Sequence, residues 1–590
     1  MLETGRFLPR IIRSSDNTCH SSENLKLDLK TARATDHTED FDTRPSFTSS
    51  WLSDTIVHGS LVAKYQVSGV EIRVASPQGA SYGMYVINPP EYALNPLHLR
   101  IVSEVMEEIV TDLPEGLDMS SLETIRPHLF SRARDLLYRK LAAKSDSNAE
   151  PREIENTTSF LAYVLCKYTA GFGIFETLLQ DPNVQDIYVD SPSSQNPVHV
   201  VLRSNLAQGV RQKCRTNLYV GRRDLLSIVS RIKLETGLPF SEANPILEAD
   251  LPHLGVRVTI VGPPLSDRGV AMAFRKHSEA ILPLSTLTAN STLTPLLASF
   301  LWASVIGRRT VLISGSRGAG KTTLMSSLVL EFPRSQRIIL IEDTPEIPLR
   351  RFQQLGYDVQ GLRFKAHRGN ALASAEESLR VSLRMGESAI VLGEVRGVEA
   401  KVLYESMRAG SAGSSVLGTI HGNSAKAVLD RTVEDLGVSE RAFSATDLIV
   451  VMGLIRSPDG TSFQRRVSEV VEVREDGRGV CLVPLFELTS NSSCARPTEQ
   501  FDPSSKTVRE IAASFGISPD RMMDIIRLRA YAEQAMAERV QSRPHMPGTD
   551  WESLRLRWNE HLMQRLFSGA VAEQPADIWE RWLDEQMGAP

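Results

Sequence analysis

The sequence has few cysteines, and none of them form a pair of the kind that binds zinc. Its five cysteines, among 590 residues, are odd in number, and no two have Cys-x-x-Cys spacing. This pattern argues against a disulfide framework and against a zinc module, and it fits a reducing compartment such as the cytoplasm. The cysteines are Cys19, Cys166, Cys214, Cys481 and Cys494.

Long apolar runs and an excess of one charge are also missing. Residues 1–10 lack the apolar core of a signal peptide, and the chain contains no run of about 18 uncharged apolar residues. We therefore expect any membrane contact to be peripheral. The 66 basic and 71 acidic residues leave a formal net charge of −5, so we expect no nucleic-acid partner.

The length of the chain predicts several domains, because 590 residues exceed what one hydrophobic core usually organises. Residues 1–50 are polar with little apolar periodicity, which predicts a flexible tail. Short strands, among them 65–74 and 82–87, and helices predict a small α+β unit at 51–150 and a second amino-terminal domain at 151–281. Charged helices predict a helical region at 491–590. Its expected anchors are Trp551, Trp558, Trp579 and Trp582.

Between residues 282 and 490, helical and strand patterns alternate. This alternation predicts an α/β domain with a parallel sheet covered by helices. Three further apolar segments, at 447–453, 467–473 and 480–488, are expected to extend the sheet in antiparallel fashion.

A glycine-rich loop inside this segment predicts a phosphate-binding site. The residues from Gly315 to Thr322 satisfy the G-x-x-x-x-G-K-[ST] pattern, and they follow a predicted strand and open a predicted helix. In such a loop, backbone N–H groups and the helix N-terminus face the phosphates. Lys321 should reach the β and γ oxygens, and Thr322 should bind Mg²⁺. The alternative, a chance match, is disfavoured by the strand and helix around the loop. The predicted contacts are Gly315, Ser316, Arg317, Gly318, Ala319, Gly320, Lys321, Thr322 and Thr323.

Acidic residues follow two apolar strands downstream. Glu342, Asp343 and Glu346 follow one strand, and Glu394 follows another. Ligands sit at the carboxyl ends of strands in open parallel sheets, so these carboxylates should face the nucleotide. Glu394 is our candidate for orienting the attacking water, and Glu342 and Glu394 could hold Mg²⁺ partly through water. The alternative for any single acid is a helix cap or a solvated strand end.

A histidine and three arginines complete the list of candidates. His421 follows a fourth strand, where it could sense the γ-phosphate, although a lone histidine is often structural. Phosphoryl transfer also needs positive charge against the equatorial oxygens. Arg257, Arg275 and Arg384 could supply it, and from composition alone each could equally be a surface charge.

Taken in order, these motifs resemble those of the secretion ATPase superfamily, which includes the motors of type II and type IV secretion, type IV pili and archaella. The resemblance covers residues 158–473. Besides the phosphate loop, it rests on an acidic box at 341–346, a Gly-Glu-Val-Arg-Gly segment at 393–397 and a histidine box at 409–421. The residues in these boxes are most similar to those of the archaeal branch of the superfamily.

The resemblance implies a RecA-like P-loop ATPase core, preceded by α+β amino-terminal domains and followed by a helical carboxyl-terminal tail. It implies a homo-hexamer that uses ATP and Mg²⁺ at the inner face of the cytoplasmic membrane. Its expected partners are a polytopic membrane platform protein and a pilin-like filament or secretion apparatus. Arg257 and Arg275 match positions that touch nucleotide phosphates from the amino-terminal domain. Arg384 matches the arginine before the Walker B segment, which is the Gly-Glu-Val-Arg-Gly segment at 393–397.

Some features depart from the family pattern. The chain cannot build a four-cysteine zinc insertion, the histidine box lacks one expected histidine, and Arg317 is unusual within the loop. Three functions remain open at this point. They are a hexameric motor that assembles or moves a filament or drives secretion, a RecA-like motor that translocates nucleic acid, and a catalytically weak assembly scaffold.

Overall fold

The structure is a computed structural model, and it describes most of the chain. Of the flexible tail predicted at 1–50, residues 1–44 lie outside the described residues. The described residues are 45–53, 59–77, 79–111, 122–144, 151–203, 212–277, 280–364, 375–382, 384–386, 388–397, 399–408, 415–456, 463–477, 479–490, 492–542, 551–567, 581–582 and 585–586.

The chain divides into two compact units. The first contains Met1–Ala249 and Val258–Phe274, and the second contains Asp250–Arg257 and Arg275–Pro590. Within the described residues, no helix is both long enough and apolar enough to cross a membrane.

The first sheet has nine strands, in the order β2-β3-β4-β7-β6-β5-β11-β10-β9. It therefore joins strands from both amino-terminal units that the sequence predicts separately, at 51–150 and 151–281. The strands of this half of the chain are β1 (Trp51–Leu52), β2 (Gly59–Val67), β3 (Val70–Pro77), β4 (Gly83–Asn88), β5 (Val184–Val189), β6 (His199–Leu202), β7 (Lys213–Thr216), β8 (Leu218–Tyr219), β9 (Ile246–Leu251), β10 (Val256–Val261) and β11 (Ala271–Lys276). The helices are α1 (Pro96–Thr111), α2 (Leu122–Lys144), α3 (Pro151–Thr169), α4 (Phe175–Gln180) and α5 (Arg222–Thr236).

A tight hairpin joins β2 to β3, where the sequence pattern predicts one strand over residues 65–74. Ser68 and Gly69 both have positive φ, of 49° and 82°. Positive φ at two central residues is typical of the two-residue turns that join antiparallel strands. The single-strand prediction is therefore wrong, because the Ser-Gly pair reverses the chain in the middle of an apolar segment.

Residues 45–50 are anchored to the start of α5, so the predicted tail is too long at this end. Asp224, in the first turn of α5, accepts hydrogen bonds from the Ser49 and Ser50 backbone N–H groups at 3.1 Å. The Thr48 and Ser50 hydroxyls also donate to it. Polar composition misled the prediction here, since these polar groups bind a carboxylate rather than water.

The second unit contains a nine-stranded sheet with helices on its faces and at its carboxyl-terminal end. Its strands are β12 (Val311–Gly315), β13 (Arg337–Glu342), β14 (Val359–Arg363), β15 (Ser388–Val395), β16 (Val416–Ile420), β17 (Leu448–Arg456), β18 (Phe463–Asp476), β19 (Gly479–Glu487) and β20 (Arg496–Pro497). Its helices are α6 (Leu284–Ala289), α7 (Pro295–Ile306), α8 (Lys321–Val329), α9 (Leu349–Gln354), α10 (Ala375–Ser382), α11 (Glu399–Arg408), α12 (Ala425–Asp430), α13 (Glu440–Phe443), α14 (Lys506–Ser514), α15 (Pro519–Ser542) and α16 (Trp551–Phe567).

The strand order of this sheet is β14-β13-β15-β16-β12-β17-β18-β19-β20. The strands from β14 to β17 are parallel, and β18 and β19 pair in antiparallel fashion. The antiparallel extension thus begins one strand later than predicted, because β17 runs parallel to β12. The predicted fold class, α/β with a RecA-like core, α+β segments before it and helices after it, is confirmed.

The carboxyl-terminal helices complete the core on one face of the second sheet. Trp558 of α16 is fully buried in the same apolar cluster as Trp302 of α7, and Trp551 and Trp582 are partly buried against it. Three of the four predicted tryptophan anchors therefore pack as expected, while Trp579 lies outside the described residues.

Four charged side chains are buried beneath these helices, and we call Glu331, Arg529, Glu533 and Arg555 the buried charge cluster. Glu331, just after α8, lies 3.0 Å from Arg529 Nη2 and 2.9 Å from Arg555 Nε. Arg555 Nη1 also lies 2.6 Å from Glu533 Oε2. All four side chains are 0% exposed. The cluster therefore ties α15 and α16 to the segment that follows α8.

Candidate nucleotide-binding site

The predicted phosphate loop joins β12 to α8 and depends on glycine backbone geometry. Gly315, Gly318 and Gly320 have φ of 147°, 79° and 97°, which L side chains rarely adopt. A Cβ at Gly315 would also lie 2.4 Å from the Met452 carbonyl oxygen. Ala319 is buried under the loop, while Arg317 and Thr323 are exposed. The loop conformation therefore requires glycine, and it places the N-terminus of α8 at the carboxyl edge of the parallel strands.

Lys321, the first residue of α8, turns back over this loop. Its Nζ donates to the carbonyl oxygens of Gly315 and Ser316, at 3.0 and 3.2 Å. Burial lowers the pKa of Lys321, and the carboxylates of Glu394 and Glu346 oppose that shift. A half-buried ammonium whose hydrogen bonds go to neutral carbonyl groups keeps its charge available for a polyphosphate.

Thr322 contacts the acidic box, but through Glu346 rather than Glu342. Its hydroxyl donates to Glu346 Oε2 at 2.7 Å. Glu342 instead lies beneath the box, where its Oε1 accepts the backbone N–H groups of Glu346 and Ile347 at 3.0 and 3.1 Å. The direct metal contact predicted for Glu342 therefore has no support in this geometry, since its described contacts shape the loop that presents Glu346.

Burial changes the acidity of Glu342. Its side chain is 5% exposed. Desolvation raises the pKa of Glu342 to about 7, and the two backbone N–H groups partly oppose the shift. The carboxyl group thus gains a proton near neutral pH, whereas an exposed glutamate gains one only in acid.

Glu394 lies at the centre of a charged network. His421 Nε2 lies 2.9 Å from Glu394 Oε1, within ion-pair distance but without hydrogen-bond geometry. Arg396 donates to Glu394 Oε2, and its Nη1 donates to Asp343 Oδ2 at 3.2 Å. Glu394 is 14% exposed, against 59% for Arg396. The Glu394 carboxylate is therefore largely enclosed, and it is approached by a guanidinium and an imidazole.

The strand order explains why these residues meet. Strand β16 lies between β12 and β15, and Val395 of β15 pairs with Ile420 of β16. Glu394 and His421 therefore share the edge of the sheet at which the phosphate loop begins. Glu399, in the first turn of α11, accepts the backbone N–H groups of Arg396 and Gly397, at 2.6 and 2.7 Å, and so fixes the segment after Glu394.

Burial also sets the charge of His421. It lowers the pKa of His421, the Lys321 charge adds to that shift, and the Glu394 carboxylate opposes it. Burial and the Lys321 charge thus favour the neutral imidazole.

The three predicted arginines occupy different places. Arg257 Nη1 donates to the Thr344 hydroxyl at 2.9 Å, which brings it to the acidic box within the second unit. Arg275 is exposed at the end of β11. Arg384 is exposed in the turn before β15, and the five strand residues between Ser388 and Glu394 separate these two by about 20 Å. Of the three arginines, Arg257 is the one with a contact to the acidic box among the described residues.

Two residues at the site have no role assigned from the sequence. Glu346 belongs to the carboxylates that the sequence predicts to face the nucleotide, but it is not assigned to the metal, and Arg396 lies in the Gly-Glu-Val-Arg-Gly segment. Their position after strands of a parallel sheet was the available signal. Which of several neighbouring acids points at Thr322 depends on the loop conformation, and the sequence pattern does not determine that.

The residues present fit a magnesium nucleotide better than a metal held by protein ligands alone. Over the described ranges, no group of three or more His, Cys, Asp or Glu side chains could hold a metal ion. Mg²⁺ commonly binds one or two protein groups and completes its shell with substrate phosphates and water. The Thr322 hydroxyl beside the Glu346 carboxylate provides such a partial ligand set.

The fold and site define an α/β protein with a RecA-like phosphate-loop core. Residues 169–499 match the family described as "Type II/IV secretion system protein". This match covers more than half of the 590 residues, and the chain belongs to that family.

Individual relatives come from archaea and bacteria. An uncharacterized protein of Methanocaldococcus jannaschii is 27% identical over 283 residues, which are 47% of this chain and 47% of that protein. The type IV secretion system protein PtlH of Bordetella pertussis is 34% identical over 208 residues, which are 32% of this chain and 60% of PtlH. The chain thus spans about half the length of the methanogen protein. Membership of the archaeal branch stays a prediction, because the relatives include both archaeal and bacterial proteins.

Among solved structures, the VirB11 ATPase of the Brucella suis type IV secretion system, in complex with sulphate, is 26% identical. The likeness covers 50% of this chain and 92% of that one, with a TM-score of 0.25. The family assignment rests on the sequence match.

Proposed function

We propose that the second unit binds Mg-ATP and hydrolyses it. The observation that carries this proposal is the meeting of Lys321, Thr322, Glu346, Glu394 and His421 at one edge of the parallel sheet. The loop N–H groups and Lys321 would bind the phosphates, and Thr322 with Glu346 would hold Mg²⁺. Bound Mg²⁺ would neutralise charge on the β and γ phosphates during transfer.

Glu394 is the proposed acceptor of a proton from the attacking water. A general base must lie within reach of that water and must be held in a fixed orientation. Arg396 orients one carboxylate oxygen of Glu394, and the other lies towards His421. This second oxygen has no hydrogen-bond partner among the described residues, so it is the one available to the attacking water.

The position of Arg384 favours an oligomeric ring. Phosphoryl transfer commonly uses an arginine supplied by another subunit. Arg384 precedes β15 and Glu394 lies near the other end of that strand, so the strand holds the two residues of one chain apart. In a ring built from one repeated head-to-tail interface, it would face the site of a neighbouring chain. The proposed ring is the homo-hexamer that the family resemblance implies.

The cellular role proposed for this ring is a motor that drives type II/IV secretion or the assembly or movement of a pilus-like filament. Family membership supports this role. The proposed partner is a polytopic membrane platform protein at the inner face of the cytoplasmic membrane. In the motor, hydrolysis would change contacts near the acidic box, where Arg257 meets Thr344.

Complementation between two inactive variants tests the ring and the hydrolysis together. A chain with Lys321→Ala keeps Arg384 but cannot bind phosphate. A chain with Arg384→Ala keeps the phosphate loop but lacks the arginine that would serve a neighbouring site. Co-expression in equal amounts should restore about a quarter of the wild-type ATP turnover, because half of the sites keep the loop and half of those face an intact arginine. Mixing the two chains without co-assembly serves as the control.

Absence of recovery in rings shown by mass measurement to contain both chains would contradict the intersubunit role of Arg384. A second measurement addresses the partner, by adding either membranes that contain a candidate platform protein or double-stranded DNA. Stimulation of turnover by the membranes supports the secretion motor. Stimulation by DNA alone would favour a nucleic-acid motor instead.

A further inference from the structure

Besides Lys321, a second cationic side chain, Arg465, reaches the phosphate loop from the antiparallel end of the sheet. Strand β17 pairs with β12 up to Gly315 and then continues past the loop, and β18 returns along it with Arg465 opposite Leu454. Arg465 Nε donates to the Gly318 carbonyl oxygen at 3.0 Å. Its Cδ lies 3.2 Å from where a Cβ at Gly320 would be, so the side chain packs on the loop itself.

The charge of Arg465 has no acidic counterpart in the described part of the chain. No ion pair joins Arg465 to a carboxylate there, and its Nε contact with Gly318 is its only hydrogen bond to a described residue. Burial lowers the pKa of Arg465, and no neighbouring acid opposes this shift. Its terminal nitrogens are not among the buried unpaired atoms of the described residues, so they are accessible to an anion that binds at the loop.

The next residue shows what a purely structural arginine looks like in this strand. Arg466 donates to the carbonyl oxygens of Asn290, Ser493 and Arg465 and to the Gln464 side chain, at 2.8 to 3.1 Å. Its side chain is thus fully occupied in joining segments of the fold. Arg465, by contrast, keeps its two terminal nitrogens without a hydrogen-bond partner among the described residues.

The position of Arg465 completes the surroundings of the loop. Strand β12 has β16 on one side, with His421 at its end, and β17 with β18 on the other. The first side carries the carboxylate of Glu394, which repels phosphate. A triphosphate with bound Mg²⁺ still carries net negative charge, so a cation on the second side stabilises it.

We propose that Arg465 binds the phosphate chain of the nucleotide, through charge, from the β18 side of the loop. This assignment rests on the proposed nucleotide-binding function and adds a residue to it. The competing explanation is that Arg465 only braces the loop through the Gly318 carbonyl oxygen.

Two substitutions separate these explanations. Arg465→Gln keeps a side-chain N–H donor for the Gly318 carbonyl oxygen but removes the charge, whereas Arg465→Lys keeps the charge. Binding of ATP and of inorganic tripolyphosphate, which has no base or ribose, is measured by calorimetry at several salt concentrations. Arg456→Gln is the matched control, because Arg456 lies on the same hairpin with its guanidinium over the Phe463 ring, 5.4 Å from the ring centroid.

We expect Arg465→Gln to weaken binding of both ATP and tripolyphosphate by about 10- to 100-fold, since hydrogen bonds to charged groups have this strength. The salt dependence of binding should also become shallower. Arg465→Lys should retain most of the affinity, and Arg456→Gln should match the wild type. Thermal unfolding midpoints show that each variant is folded.

Wild-type affinity in a folded Arg465→Gln variant would overturn the proposal, and so would equal losses in the Gln and Lys variants with unchanged salt dependence. These results would leave the nucleotide-binding function itself intact. A wild-type chain that binds neither ATP nor tripolyphosphate would overturn both.

Discussion

The second unit contains two clusters of arginine and glutamate whose environments are opposite. In the buried charge cluster, Glu331 contacts two arginines, and every charged side chain is 0% exposed. At the phosphate loop, Arg396 is 59% exposed, His421 is 38% exposed, and Glu394 lies between them at 14%. The same residue types are thus enclosed in one region and open to water in the other.

This difference in exposure indicates that the two clusters have different roles. Charges enclosed in protein are stable only when all of them are paired, so the removal of one partner is costly. Charges near water exchange partners at little cost, because solvent and ions compensate them. The buried charge cluster therefore holds helices together, while the site keeps groups that can transfer between protein partners and ligands.

The largest expected effect is on catalysis at the open cluster. Glu394→Gln should reduce ATP hydrolysis by about 10²- to 10⁴-fold, because it removes the proposed general base. Nucleotide affinity and thermal stability should change little, since Gln has the same shape and the site is partly solvated. Phosphate release and calorimetric ATP binding measure the two quantities. Turnover equal to that of the wild type, with the ring still forming, would instead support the scaffold function.

The next effect is on stability at the enclosed cluster. Glu331→Gln removes a charge that faces Arg529 and Arg555, and the loss of one partner of a buried ion pair costs about 3–5 kcal/mol. The unfolding midpoint of the second unit should fall by roughly 10 °C, as measured by calorimetry. Hydrolysis per folded molecule should remain close to that of the wild type.

Glu560→Gln is the matched control for this variant. Glu560 pairs with Arg334 at the surface, where the two side chains are 52% and 46% exposed. Such pairs contribute about 0–1 kcal/mol, so the midpoint should barely move. Equal destabilisation by the two substitutions would show that enclosure does not distinguish the clusters.

A smaller effect separates the two glutamates of the acidic box. Glu346→Gln should weaken the apparent Mg²⁺ affinity during hydrolysis by about 10- to 100-fold, because Glu346 contacts the Thr322 hydroxyl. Glu342→Gln should leave it unchanged, since Gln can still accept a backbone N–H group. Titration of Mg²⁺ at saturating ATP measures both. A loss confined to Glu342→Gln would restore the metal role predicted for Glu342.

The smallest effect concerns pH. Because the pKa of Glu342 is raised from 4.5 to about 7 on folding, the folded protein binds its proton more tightly than the unfolded chain. This contribution to stability is therefore full below about pH 4.5 and is lost as the pH rises through 7. Glu342→Gln should gain thermal stability over the wild type as the pH rises from 5 to 8. A constant difference across that range would contradict the shift.

Much of the second unit could be predicted from the sequence, because its elements are long or strongly patterned. The strands before Gly315 and Glu394 are buried apolar runs that end in glycine or acid, and their parallel order brings those ends to one edge. Lys321, Glu394 and His421 follow directly from that geometry. The roles of Arg275 and Arg384 rest on the need for positive charge and on the family resemblance, and no contact within the described residues joins either arginine to the loop.

Other features depend on contacts that a sequence pattern does not contain. The turn at Ser68 and Gly69 interrupts an otherwise continuous strand pattern. The choice of Glu346 over Glu342 depends on which carboxyl group the loop buries. Arg465 and Arg466 are identical neighbours in the sequence, and only the register of β18 with β17 gives them different partners.

The most direct test of the account is steady-state phosphate release from ATP by the purified chain, with and without Mg²⁺, beside Lys321→Ala. Lys321 is the group that the structure holds against the carbonyl oxygens of the loop. The account predicts Mg²⁺-dependent hydrolysis by the wild type and none above background by a folded Lys321→Ala variant. Equal turnover by the two proteins would contradict it.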